Sequence, residues 1–226
     1  MAKVILFGNG IVASVCYFYL THDTPHEVVA FTVDKKYITD DTFFDLPVVP
    51  FEEITTLYPP DEYKMHISIS FRGINKLREQ KYLQAKDKGY ELISYISSKA
   101  ITWPGLVIGD NCFIHENTVI HPFSKIGSNV TIWSGVQIGH HTIIGDHCFI
   151  AIGASIAGVT TIESHCFIGA NATIRDNITI ASECVIGAGV VMLRSTKKSS
   201  VYVAQAPKLM PYSSERLEKM SNFTDV

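Results

Sequence analysis

The stretch QIGHHTIIGDHCFIAIG, residues 137–153, places isoleucine at 138, 144 and 150, at intervals of six. The same interval runs far beyond it: isoleucine holds every sixth position from Ile108 to Ile186, and Met192 takes the next. Two residues before each lies a second regular position, mostly small or thiol-bearing, as at Cys112, Thr118, Ser124, Thr142, Cys148, Ala154, Cys166 and Cys184. Glycine follows the isoleucine at 109, 127, 139, 145, 169 and 187. An amphipathic helix repeats every 3.6 residues, so it cannot keep this period. Fixed-period self-similarity marks a solenoid, and a period of six marks a parallel β-helix with three units per triangular turn. The units from 108 to 192 make five such turns.

Three units of six put positions 18 apart in one column, stacked at about 4.8 Å. Cys112, Cys148, Cys166 and Cys184 therefore share one inward column, with Val130 filling the gap. Thiols stacked in a row cannot surround an ion tetrahedrally, so they are expected to pack the core. His147 and His165 stack at a corner, with Asn129 below and Glu183 above, in a slot that asparagine fills elsewhere. A metal between them is conceivable, but turn chemistry accounts for both, and no metal site is expected.

His140 and His141 occupy the first outward positions of their unit. The column of His140 runs Pro122, His140, Gly158, Asp176, so Gly158 leaves room beside the imidazole. Ala151, Ile152, Ala157, Gly158, Gly169 and Ala170 make a bare outer wall nearby, suited to an extended ligand that approaches backbone amides. The plainer reading is a pair of solvent-facing turn histidines.

Residues 1–97 follow another grammar. KVILFG, EVVAFTVD, KMHISIS and YELISYIS read as strands, while IVASVCYFYLTH, FEEITTLY and INKLREQKYLQAKDKG read as helices. Their alternation implies a small parallel sheet with crossover helices, whose ligands sit beyond the carboxyl ends of the strands. The β-helix is expected over 98–195, and a tail with a short helix, SSERLEKM, over 196–226. The start reads as a buried strand and turn, not a signal peptide, and no segment has membrane-spanning length. With 19 basic and 22 acidic residues, no nucleic-acid or membrane surface is expected. Five cysteines, an odd number, suggest reduced thiols in a cytoplasm.

The two-domain layout with a histidine at this point resembles the bacterial acyltransferases that modify nucleotide-linked amino sugars, or sialic acid, for surface glycans. The resemblance implies an α/β domain followed by a left-handed β-helix, a homotrimer, and acetyl-CoA lying between neighbouring helices. It implies an N-acetyltransferase of a nucleotide-linked amino sugar, with a sugar O-acetyltransferase or a non-catalytic nucleotide-sugar-binding protein as alternatives. His140 falls on the family's catalytic histidine, and His141 stands where an acidic helper is common. The coenzyme contacts are expected at Phe149, Ala157, Gly158, Ala170, Gly187 and Ala188. VYVAQAPK, 201–208, resembles the family's close, with Ala204 where glycine is common and Ala206 toward the adenine end. In FGNGIVAS, Gly8, Asn9 and Gly10 match the turn that holds the nucleotide diphosphate, and Asp34 the residue that meets base or ribose. Arg72, Asn75 and Lys76 are the candidates after the third strand, because positive charge at a helix N-terminus calls for an anion there.

Overall fold

A computed structural model of the chain describes residues 1–220. The N-terminal domain is a five-stranded sheet. Its parallel strands are β1 (Lys3–Phe7), β2 (Glu27–Val33), β4 (Leu46–Pro50) and β5 (Tyr63–Ile67), and β3 (Thr42–Phe43) forms an antiparallel edge. The order is β3-β4-β2-β1-β5. Val4 to Phe7 are buried on both faces, as an apolar run in a parallel sheet must be. One face is covered by Ala13, Cys16 and Leu20 of α1 (Ile11–Asp23). The other packs against α2 (Ile54–Leu57) and α3 (Lys76–Asp87).

The β-helix has three sheets of five, seven and five two-residue strands. Each strand pairs in parallel with the one a full turn later, as Thr131–Ile132 does with Phe149–Ile150. The inward isoleucines from Ile114 to Ile186 are at most 3% exposed. The slot two residues earlier carries small donors for a physical reason. The Thr118, Ser124, Thr142 and Thr160 hydroxyls and the Cys112, Cys148 and Cys166 thiols each donate to the carbonyl 15 residues on, at 2.9–3.3 Å. These bonds satisfy corner carbonyls that would otherwise be buried without a partner. The third residue after each isoleucine takes a left-handed backbone, as at Asn111, Asn117, Asn129, Asn171 and Asn177. His141, His147 and His165 occupy the same slot, with φ of +57°, +61° and +62°.

Both ends of the β-helix reach past the expected boundaries. Tyr95–Ile96, taken from sequence as the end of a fourth strand of the first sheet, pairs instead with Phe113–Ile114 and starts the seven-stranded sheet. The start of this segment forms one isolated bridge with β5, Met65 to Leu92, beside the His66 ring at the Ile93 carbonyl (3.1 Å). Val201–Tyr202 pairs with Val185–Ile186 and adds a last rung. The short C-terminal helix spans Ser214–Met220.

The two domains are bolted together at the seven-stranded sheet and the corner before it. Arg78, 1% exposed, donates through Nη2 to the carbonyls of Asn129, His147 and Cys148 at 3.1, 3.3 and 2.9 Å. Its guanidinium also faces the Phe149 ring. Burial lowers its pKa to about 10, so it stays charged at neutral pH. The Asn75 amide donates to the Cys166 carbonyl at 3.2 Å. A ladder climbs the corner column. Ile67 N–H donates to Asn111 Oδ1 (2.7 Å), Asn111 Nδ2 to Asn129 Oδ1 (2.8 Å), and Asn129 Nδ2 to His147 Nδ1 (2.9 Å).

Two histidines near this seam set an acid limit on stability. His66 and His115 are buried, and burial lowers both from 6.5 to about 4. As pH falls below 6.5 the unfolded chain takes up these protons first, so stability present above 6.5 is lost progressively down to about 4. At pH 5 each histidine costs about 2 kcal/mol, at about 1.36 kcal/mol for each pH unit below 6.5. Urea midpoints at pH 7.5 and pH 5 will show this loss, and His115→Gln will lose less on acidification than wild type.

Candidate active site

Because Ile138 points into the core, the chain leaves the β-helix through Gly139 and His140 and turns at His141. The turn is tied to both neighbours: His141 N–H donates to the Pro122 carbonyl at 3.3 Å, and Val159 N–H to the His140 carbonyl at 2.8 Å. His140 is exposed, and its ring lies across Gly158. A Cβ at 158 would stand 2.9 Å from His140 Cε1 and Nε2 and 3.2 Å from Cδ2. Real Cβ contacts are not that short, so the ring sits there only because residue 158 is glycine. His140 Nδ1 is 3.2 Å from His141 Nδ1, with the rings nearly perpendicular at 86°. His141 leans on Phe123, at 4.8 Å between centroids. Nε2 of His140 has no hydrogen-bond partner among the described residues, leaving it open for proton transfer.

The residues expected to meet a coenzyme divide between two corners. Ala157 and Gly158 share the corner of His140, whereas Ala170, Gly187 and Ala188 lie on the corner following the seven-stranded sheet. The strands carrying Gln137, Ser155, Thr173 and Val191 run between these corners, so the two sets edge one face. Ala206 follows the last rung and is exposed. Phe149 departs from expectation: it is 5% exposed, with Phe71, Phe167 and Arg78 against its ring. Its outward side faces the N-terminal domain, away from any open groove in this chain.

Beyond the carboxyl ends of β1, β2 and β5 lies a cleft of about 880 Å³. Gly8, Asn9, Gly10, Asp34 and Arg72 all line it, as the sequence suggested. Gly8 has φ +128°, and a Cβ there would stand 2.7 Å from the Ser68 carbonyl, so this turn requires glycine. The Asp34 carboxylate is held by Lys81 Nζ at 2.5 Å, and that ammonium also donates to Gln84 Oε1 at 2.9 Å. Lys36, Tyr37, Gln80 and Lys81 add to the polar lining and were not singled out by sequence. Nothing local marks them, since they come together only through the packing of α3 beside β2.

Asn75 and Lys76 do not reach the cleft. Asn75 is fully buried, with φ +65°, and is spent on the domain seam. Lys76 begins α3 but pairs with Glu183 at 3.3 Å, so the anion its charge answers is a side chain of the β-helix.

At the opposite corner Glu79 approaches His147 Nε2 at 3.5 Å and His165 Nε2 at 3.0 Å, close enough to consider a metal. The asparagine ladder argues otherwise. Ile67 N–H can only donate, which orients both amides and makes His147 Nδ1 an acceptor. The proton of the neutral ring then sits on Nε2, which has no lone pair left for an ion.

Comparison with known proteins agrees with this architecture. Residues 105–140, 123–158, 141–176 and 159–194 match the bacterial transferase hexapeptide (six repeats) family, which identifies the coil as the left-handed β-helix of that repeat. No curated protein matches significantly by sequence. Among solved structures, the fold is similar to a histidine-to-asparagine mutant of perosamine N-acetyltransferase from Caulobacter crescentus, in complex with CoA and GDP-perosamine. The TM-score is 0.80, at 24% identity over 89% of this chain and 93% of that one. The acetyltransferase domain of PglB from Neisseria gonorrhoeae FA1090 gives a TM-score of 0.80, at 21% identity over 89% and 96%. WeeI from Acinetobacter baumannii AYE gives 0.76, at 20% identity over 90% and 97%. The chain thus has the whole two-domain fold of these proteins.

Gly158→Ala tests the geometry at His140. The new methyl group forces the imidazole off its seat, so activity is expected to fall about 100-fold. Circular dichroism and the thermal midpoint should stay near wild type, since residue 158 lies on the outside of the coil.

Proposed function

We propose that this protein is an acetyl-CoA-dependent N-acetyltransferase of a nucleotide-linked amino sugar used for bacterial surface glycans. The carrying observation is the His140 imidazole seated on Gly158 with Nε2 open, on the fold of a perosamine N-acetyltransferase that binds CoA and GDP-perosamine. Nε2 removes a proton from the sugar amine as the nitrogen attacks the thioester carbonyl. The Gly158 N–H steadies the tetrahedral oxyanion, since the Ala157 N–H is spent on the Ile174 carbonyl (2.9 Å), and the C–S bond breaks to release coenzyme A, which recovers the proton from His140. No acyl-enzyme is involved: all five cysteines are free and buried. That thiol state suits the cytoplasm, and among the described residues no helix is long and apolar enough to cross a membrane.

The nucleotide diphosphate lies against Gly8, Asn9 and Gly10 at the start of α1, with Asp34 and Arg72 beside it. In a single chain this cleft and His140 share no lining residue. The N-terminal domain covers the seven-stranded sheet, and His140 stands on the corner between the other two sheets. A homotrimer, in which the cleft of one subunit faces the histidine of the next, brings the two together.

His140→Ala, assayed with acetyl-CoA and GDP-, UDP- and dTDP-linked amino sugars, is expected to lose about 10²–10⁴-fold in kcat. Coenzyme A should raise the thermal midpoint of both proteins. Activity within a few-fold of wild type would refute the base, and no response to coenzyme A would refute the transferase. Mixing His140→Ala with Arg72→Ala subunits, followed by unfolding and reassembly, should restore activity that neither parent has. Sedimentation should give a trimer.

A further inference from the structure

We infer that His141 is a positioning residue: as a neutral imidazole it accepts the Nδ1 proton of His140 and so keeps Nε2 of His140 free to act as the base. This role rests on the reading of His140 as the catalytic histidine. The two Nδ1 atoms are 3.2 Å apart, a hydrogen-bond distance that holds only with one proton between them. With none, two lone pairs face each other; with two, two N–H groups do.

The single proton has two possible owners. If His141 donates, the remaining proton of His140 sits on Nε2, and the ring is no base. If His140 donates, its lone pair is on Nε2, at the open edge of a ring backed by Gly158. When Nε2 then takes the amine proton, His140 becomes an imidazolium whose Nδ1–H bond to His141 is charge-assisted and stronger. The acceptor therefore stabilises the protonated base formed during the reaction, as a carboxylate would, without carrying a charge.

The fold does not need an imidazole at this position. His141 stands in the left-handed slot where Asn117, Asn129, Asn171 and Asn177 serve equally well. Phe123 braces its ring on one side, which fixes the Nδ1 edge toward His140. Other titratable groups on this corner are His121 in the turn below, the Arg175–Asp176 pair (3.7 Å) in the turn above Gly158, and Lys125 on the neighbouring sheet. None hydrogen-bonds either ring among the described residues.

Imidazole nitrogen NMR on the ligand-free, full-length protein tests this without substrate. Expected are Nδ1–H for His140 and an unprotonated Nδ1 for His141. In His141→Gly, which keeps the left-handed turn, the Nδ1–H preference of His140 should be lost. With acetyl-CoA and the best acceptor found, His141→Gly should lose about tenfold in kcat at unchanged coenzyme A affinity. His141→Asn, whose Oδ1 can accept the same proton, should recover most of that loss. A proton on Nε2 in place of Nδ1 of His140, or a His141→Gly enzyme with unchanged kcat, overturns the proposal. A wild-type protein that forms no acetylated product refutes the transferase reading instead, so the two failures are distinguishable.

Discussion

The constraint on which everything else depends is the return of the chain to the same corner once per turn, so that positions 18 apart always meet. Parallel pairing fixes that return, and the bonds from each inward hydroxyl or thiol to a carbonyl of the following turn lock the corners together. A side chain in this coil therefore has its neighbours chosen by arithmetic. Gly158 lies above His140 because 18 separates them, and Asn111, Asn129 and His147 form a ladder for the same reason. The site geometry is a property of the register, and the register is a property of the isoleucine column.

The two domains are held by polar groups as well as by apolar packing, in which Tyr95 and Phe113 join the core of the first sheet and Phe71 covers Phe149 and Phe167. A buried guanidinium without a carboxylate is costly unless other dipoles replace its water; three corner carbonyls do so at Nη2 and the Phe149 face lies against the group, while Nε and Nη1 have no hydrogen-bond partner among the described residues. Asn75 and Lys76 add bonds from the same end of α3, while Tyr82 and Lys86, further along it, bond to Asp110. These contacts fix the angle of α3, and α3 carries Gln80 and Lys81 into the cleft. The bolt between the domains thus sets the shape of the cleft, although none of its residues lines it.

The β-helix, its inward thiols and the seat of His140 were all legible in the sequence, because period and column need no knowledge of distant contacts. The cleft was legible at Gly8, Gly10 and Asp34, where strand ends and glycines mark the chain. What stayed hidden depended on packing between domains. Arg78 and Glu79 look like solvated charges on a polar helix, yet one is buried among carbonyls and the other faces two imidazoles. Phe149 has an outward position, but outward on that side means under Phe71. Tyr95 belongs to an apolar run that would suit either sheet, and only pairing decides which. Lys81 had no local signal at all.

The column arithmetic also governs how such a protein can change length. Removing one whole turn leaves every surviving column aligned. Removing a single unit, for example 145–150, keeps the isoleucines inward but rotates the upper part by one face, setting Ser164 above His140 in place of Gly158. Core and pocket would then answer to different units of inheritance: the isoleucine column keeps its period when one unit is lost, while the pairing of His140 with Gly158 survives only where 18 positions still separate them.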